Sequence, residues 1–155
     1  MFSLMKRIVL ILACICTLSG CSIDDDGSSL SLSLAEITDA QLPDYFETGE
    51  IYNFPINYMP ANGCEQFYGF DINREINGNV RDIYVFAVTA RYLDRTDCDE
   101  ATEQERTLKD IVITGNENTE YIFHFWIGEE NEEAKYLDIT VPVGKPEENE
   151  EPTQE

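Results

Sequence analysis

The run VRDIYVFAVTARY, residues 80–92, decides the fold. Ile83, Tyr84, Val85, Phe86, Ala87 and Val88 follow one another without the polar residue that a half-solvated strand carries at every second place. A short run rich in β-branched and aromatic residues, apolar on both faces, reads as a strand covered from both sides. Residues 80–92 are therefore expected at the centre of a sheet. Just before them, Asn77-Gly78 is a tight-turn signal between two extended segments.

Working outward, strand follows strand. Toward the N-terminus, Tyr68, Phe70 and Ile72 share one face of residues 66–72, and Tyr52, Phe54, Ile56 and Tyr58 share one face of residues 51–58. Pro55 lies inside that second run, which demotes it to an edge strand or a bulge. Leu30, Leu32 and Leu34 alternate with serines, the two-residue period of a half-buried strand. Toward the C-terminus, residues 94–105 form a polar, acidic connection that contains Cys98 and admits a helical turn. Leu108, Ile111 and Ile113 mark a strand over 107–114, and Gly115-Asn116-Glu117-Asn118 is a turn. Tyr121, Phe123, Phe125 and Ile127 alternate along the next strand; residues 128–133 turn the chain; Leu137, Ile139, Val141 and Val143 share a face of the last. Residues 30–143 thus hold about seven strands at short spacing and no amphipathic helix, the pattern of an all-β sandwich. The segment NTEYIFHF, residues 118–125, is similar to the penultimate strand of bacterial immunoglobulin-like domains, in which a tyrosine follows a tight corner. That resemblance implies an immunoglobulin-like sandwich. No tryptophan lies between Cys64 and Cys98 as it does in antibody domains, and a small β-barrel is the alternative.

The flanks are of another kind. Residues 1–7 carry Lys6 and Arg7 and no acid, residues 8–18 are apolar, and small residues follow at Ser19 and Gly20. This is the layout of a secretory signal, too short to span a bilayer as a transmembrane helix of about 20 residues does. Leu18-Ser19-Gly20-Cys21 resembles the lipobox of bacterial lipoproteins. The resemblance implies removal of residues 1–20, acylation of Cys21 and a lipid bilayer as partner. Residues 21–29 read as an acidic flexible tether. Asp24-Asp25-Asp26 resembles the acidic export signal of Bacteroidetes surface lipoproteins, which implies lipid anchoring in the outer membrane with display at the cell surface. Residues 144–155 form an acidic tail with nothing to bury. Of five cysteines, Cys14 and Cys16 fall in the signal and Cys21 takes the lipid; Cys64 and Cys98 are left, a pair expected to form one disulfide in an oxidising compartment.

Charge narrows the partners. The chain carries 10 basic and 31 acidic residues, and losing Lys6 and Arg7 with the signal moves its net charge from −21 to −23. Phosphate neutralisation needs Lys and Arg, so nucleic acid is not a partner. Catalytic chemistry is thin as well. His124 is the one histidine, and no G-x-S-x-G occurs. His124 and Trp126 alternate with Phe123 and Phe125 and so share the opposite face, where they could form a small ligand platform. Asp94, Asp97, Asp99 and Glu100 place four carboxylates in one loop, a candidate calcium site without EF-hand spacing or a loop glycine. No other cofactor is expected. The expected function is a non-enzymatic, membrane-anchored binding or structural module with a protein or glycan partner. The alternative is a carbohydrate-binding accessory module that uses exposed aromatics with calcium, and a third, a small hydrolase built on buried carboxylates, requires a concave acidic pocket.

Overall fold

The computed structural model describes residues 30–145. The expected signal at 1–20, the expected tether at 21–29 with Cys21, and all of the expected tail at 144–155 but Gly144 and Lys145 lie outside the described residues. The chain is all-β, with seven strands: β1 (Leu30–Ala40), β2 (Ile51–Met59), β3 (Gln66–Asn77), β4 (Val80–Tyr92), β5 (Gln104–Val112), β6 (Glu120–Glu130) and β7 (Glu133–Pro142). They run in the order β5-β2-β1-β4-β6-β7, with β3 also paired to β4. The sheet folds over on itself as a sandwich and does not close into a barrel.

β4 is the hub, as its two apolar faces require. Along one edge it pairs with β3 from Val80 to Ala90. Along the other it pairs in parallel with β6 over Val80–Val85 and antiparallel with β1 over Ala87–Tyr92. β1 leaves β4 after Ala35 and continues with β2 from Glu36, so a single strand joins the two layers. Ile37, Phe54, Ile56, Tyr58, Leu108 and Ile111 pack from one layer against Ile83, Val85, Phe123, Phe125 and Val141 of the other.

Phe46, in the β1–β2 connection, fills the centre. It is fully buried, with ring centroids 4.9 Å from Tyr52, 5.8 Å from Phe54 and 5.5 Å from Tyr121. Its backbone is fixed as well: its N–H donates to the Pro142 carbonyl at 2.9 Å, and its own carbonyl accepts from Gly144 N–H at 2.8 Å. Tyr121 makes the corner that its sequence context suggests. Its hydroxyl donates to the Thr114 carbonyl at 3.0 Å and accepts from Thr114 N–H at 2.8 Å, tying the start of β6 to the end of the preceding segment, as in the tyrosine corner of immunoglobulin-like sandwiches.

Several expectations change, each for a local reason. Leu30, Leu32 and Leu34 face outward, at 45%, 54% and 42% exposed. The interleaved serines face inward, where the Ser33 and Thr89 hydroxyls hydrogen bond at 3.1 Å. A bulge between Phe67 and Gly69 turns Tyr68 outward and brings Phe67 against the core. A second bulge, between Trp126 and Gly128, turns Ile127 outward, while Trp126 keeps the face it shares with His124 and is buried there. β2 is not an edge, since β1 and β5 flank it; the bulge that Pro55 suggests lies just before it, between Tyr52 and Phe54. The β3–β4 turn is centred one residue late, on Gly78-Asn79, with Gly78 at φ 62°. The six-residue turn expected at 128–133 tightens to Asn131-Glu132, both at positive φ (54° and 65°), the geometry of a two-residue hairpin turn. Residues 94–103 hold no helix.

Two substitutions separate these faces. Phe46→Ala empties a fully buried aromatic site and should lower unfolding stability by about 3–5 kcal/mol. Leu32→Ser, on the outward face of β1, should change it by less than about 0.5 kcal/mol. Urea unfolding reads both; a large loss for Leu32→Ser would show that β1 packs the other way round.

Candidate functional site

The outer face of β4, β6 and β7 gathers the unusual chemistry. Register aligns Tyr84 with His124 and His124 with Asp138, and pairs Trp126 with Tyr136. Alternation points these side chains away from the core. His124 Nδ1 lies 2.8 Å from Asp138 Oδ1, and Nε2 lies 3.1 Å from Asp82 Oδ1. The Tyr84 ring stacks on the imidazole at 4.4 Å, and Tyr136 stands edge-on to it at 6.1 Å. The cluster ties three strands together through side chains alone.

A neutral imidazole has one N–H and can donate to only one of these carboxylates; the protonated ring donates to both. Burial acts to lower the His124 pKa, but the hydrogen bonds from Asp82 and Asp138 and the charges of both outweigh it, so the net shift is upward. The Tyr84 phenol is also raised, first by burial and then by the charges of Glu75 and Asp82, which holds it protonated. With both ring nitrogens engaged, His124 has no lone pair directed at open space. The arrangement suits an imidazolium clamp better than a general base, which needs a nitrogen within reach of the proton it abstracts.

Trp126 shares this face but is only 9% exposed. The His124 side chain is 16% exposed and clamped on both sides. The open aromatic platform expected of these two residues is therefore not presented.

The other predicted residues lie elsewhere. Cys64 and Cys98 form a disulfide with Cα atoms 5.1 Å apart, joining the β2–β3 loop to the β4–β5 connection outside the core. The neighbouring backbones touch: Gly63 N–H donates to the Asp99 carbonyl at 2.9 Å, and a Cβ at Gly63 would lie 2.9 Å from the same oxygen. Glu65, one residue beyond Cys64, is buried and accepts from the Thr89 hydroxyl at 2.7 Å and from Ala61 N–H at 3.3 Å. Nothing in the sequence marks Glu65, and only the fold brings Thr89 to it. Asp94, Asp97, Asp99 and Glu100 are all exposed, and among the described residues no three His, Cys, Asp or Glu side chains are grouped so as to hold a metal ion.

No protein-family model, curated protein or solved structure matches the chain.

Two measurements test this geometry. The raised His124 pKa means that the clamp's contribution is fully present below the unfolded value near 6.5 and is lost as pH rises through the folded pKa. His124→Gln should cost about 1 kcal/mol at pH 5.5 and less at pH 9, in urea midpoints compared across pH; Asp138 is largely exposed, which keeps the figure small. A pH-independent cost would contradict the clamp. Replacing Cys64 and Cys98 together by serine opens a 34-residue loop and should cost about 3–4 kcal/mol in the chain-entropy description; the fall in melting temperature checks it.

Proposed function

We propose that this protein is a lipid-anchored lipoprotein of the outer membrane, displayed at the cell surface, whose sandwich serves as a non-enzymatic binding or structural module. The disulfide carries the reading. With Cys64 joined to Cys98, Cys21 is the one cysteine beyond residue 20 that this pairing does not use, and in the sequence it stands directly behind a signal-like segment. A disulfide that staples two surface loops also fits an oxidising compartment outside the cytoplasm. The occupied nitrogens of His124 favour holding over chemistry. With a net charge of −21, electrostatic docking to an anionic surface is disfavoured, which leaves acyl chains to hold the protein at a bilayer.

Palmitate labelling with membrane fractionation tests the anchor, and protease treatment of intact cells tests display. The native protein should take up label, sediment with outer membranes and be shaved from whole cells. Cys21→Ser should lose the label and the membrane association. A Cys21→Ser product that is still processed normally and stays membrane-bound would overturn the proposal.

A further inference from the structure

Beside the β3–β4 turn, an open cleft of about 240 Å³ lies between the hairpin and the end of β5 with the start of β6. Register places Arg74 opposite Ile83 and Ile76 opposite Arg81, so both arginines lie on the inward side of the hairpin. Ile111, Val112 and Tyr121 form the apolar walls. Glu75 and Asp82 also border the cleft, but they pair with each other and alternation turns them toward the other face.

Both arginines have unused hydrogen-bonding capacity. Arg81 Nη1 donates to the Gly78 carbonyl at 2.7 Å and the Val80 carbonyl at 3.1 Å, whereas its Nε is shielded from solvent with no acceptor. The Arg74 side chain makes no ion pair among the described residues, and neither arginine pairs with a carboxylate there. A buried N–H without an acceptor costs free energy, and a guanidinium fork matches a carboxylate in a bidentate way. Ile76, 72% exposed, and Val112, 51% exposed, supply apolar surface at the mouth that water covers poorly.

From this we infer a binding site for a carboxylate group on a short apolar body, with Arg74 and Arg81 taking the charge and Ile76, Val112 and Tyr121 the hydrocarbon. The cleft is smaller than the ~300–1,000 Å³ of drug-sized ligand sites, so the ligand is small. The site lies on the face opposite the His124 cluster and does not depend on membrane anchoring. The same carboxylate chemistry could come from a free small molecule or from Glu147, Glu148, Glu150 and Glu151 of the chain itself.

Hexanoate titrated into the intact, isotope-labelled protein, followed by amide NMR, tests the site. Amide signals of Arg74, Ile76, Arg81 and Val112 should shift saturably, hexanol at equal concentration should leave them in place, and Arg74→Gln should weaken binding roughly tenfold. His124→Gln should bind as the native protein does. If the native chain shows no shift but one with glutamine at 147, 148, 150 and 151 does, the site stands and its occupant is the chain's own acidic segment. No shift in either protein, equal shifts with hexanol, or undiminished affinity in Arg74→Gln would each overturn the inference.

Discussion

Every layer of this structure depends on β4 being covered on both faces and on both edges. A strand with Ile83, Val85 and Ala87 facing one side and Tyr84, Phe86 and Val88 the other cannot be left half in water without exposing large apolar area, at about 25 cal/mol per Å². The chain meets this demand unevenly. The inner row packs in the common core with Phe123, Phe125 and the residues of β2 and β5. Among the described residues the outer row has no second sheet above it and is covered by its own neighbours: Tyr136 crosses edge-on to both Tyr84 and Phe86, and His124 stacks on Tyr84. The two-sided burial that identifies β4 in the sequence is thus a protein core on one side and an aromatic lattice on the other. Because β6 and β1 divide one edge of β4 between them, β1 must leave midway, and its departure toward β2 brings the second layer over the first.

What the sequence makes legible is periodicity, and what it hides is phase. Alternation marks most of the strands and the unbroken apolar run at 83–88 marks β4, and the cysteine pair follows from counting. Two of the errors in facing are of one physical kind. A bulge inserts one residue and shifts the facing beyond it, so Tyr68 and Ile127 turn out and Phe67 turns in. No single residue type signals such an insertion; Gly69 and Gly128 lie beside two of the bulges but could equally be turn glycines. β1 fails differently. Its leucines alternate with serines so regularly that hydrophobicity alone assigns the leucines to the core. Yet Ser33 occupies the inner position because Thr89 and Glu65 supply a polar chain there, and that partnership joins residues far apart in sequence. Phe46 shows no period at all, since its place depends on a backbone bridge to Val143.

The histidine site illustrates the same limit from the side of chemistry. Alternation puts His124 outward, but its character comes from Asp82 and Asp138, which reach it only through the parallel pairing with β4 and the antiparallel pairing with β7. In a chain with a threefold excess of acids over bases, carboxylates beside a histidine are unsurprising. One carboxylate on each ring nitrogen is more particular, because it makes protonation the condition for satisfying both partners. A ring held in this way joins three strands and leaves proton transfer to no one.

Charge distribution completes the picture. The acidic excess keeps most of the surface solvated and repels other anions, so any anion that binds must find a place where positive charge has been left uncompensated. The few basic side chains differ in this respect. Lys135 lies near Glu130 and Glu133, and Arg106 rests over the Phe67 ring. Arg74 and Arg81 instead border the cleft beside the β3–β4 turn, where Ile76, Ile83, Ile111, Val112 and Tyr121 line it with them and neither arginine is ion-paired to the neighbouring Glu75 or Asp82. Acids were available at Glu75 and Asp82, one residue away on each strand, and the two-residue period sends both to the far side. The separation of sign across the hairpin is a direct consequence of strand geometry acting on the sequence order Arg-Glu and Arg-Asp. It suits the acid-facing side to a cation, such as the imidazolium form of His124 that can donate to both Asp82 and Asp138, and the arginine-facing side to an anion.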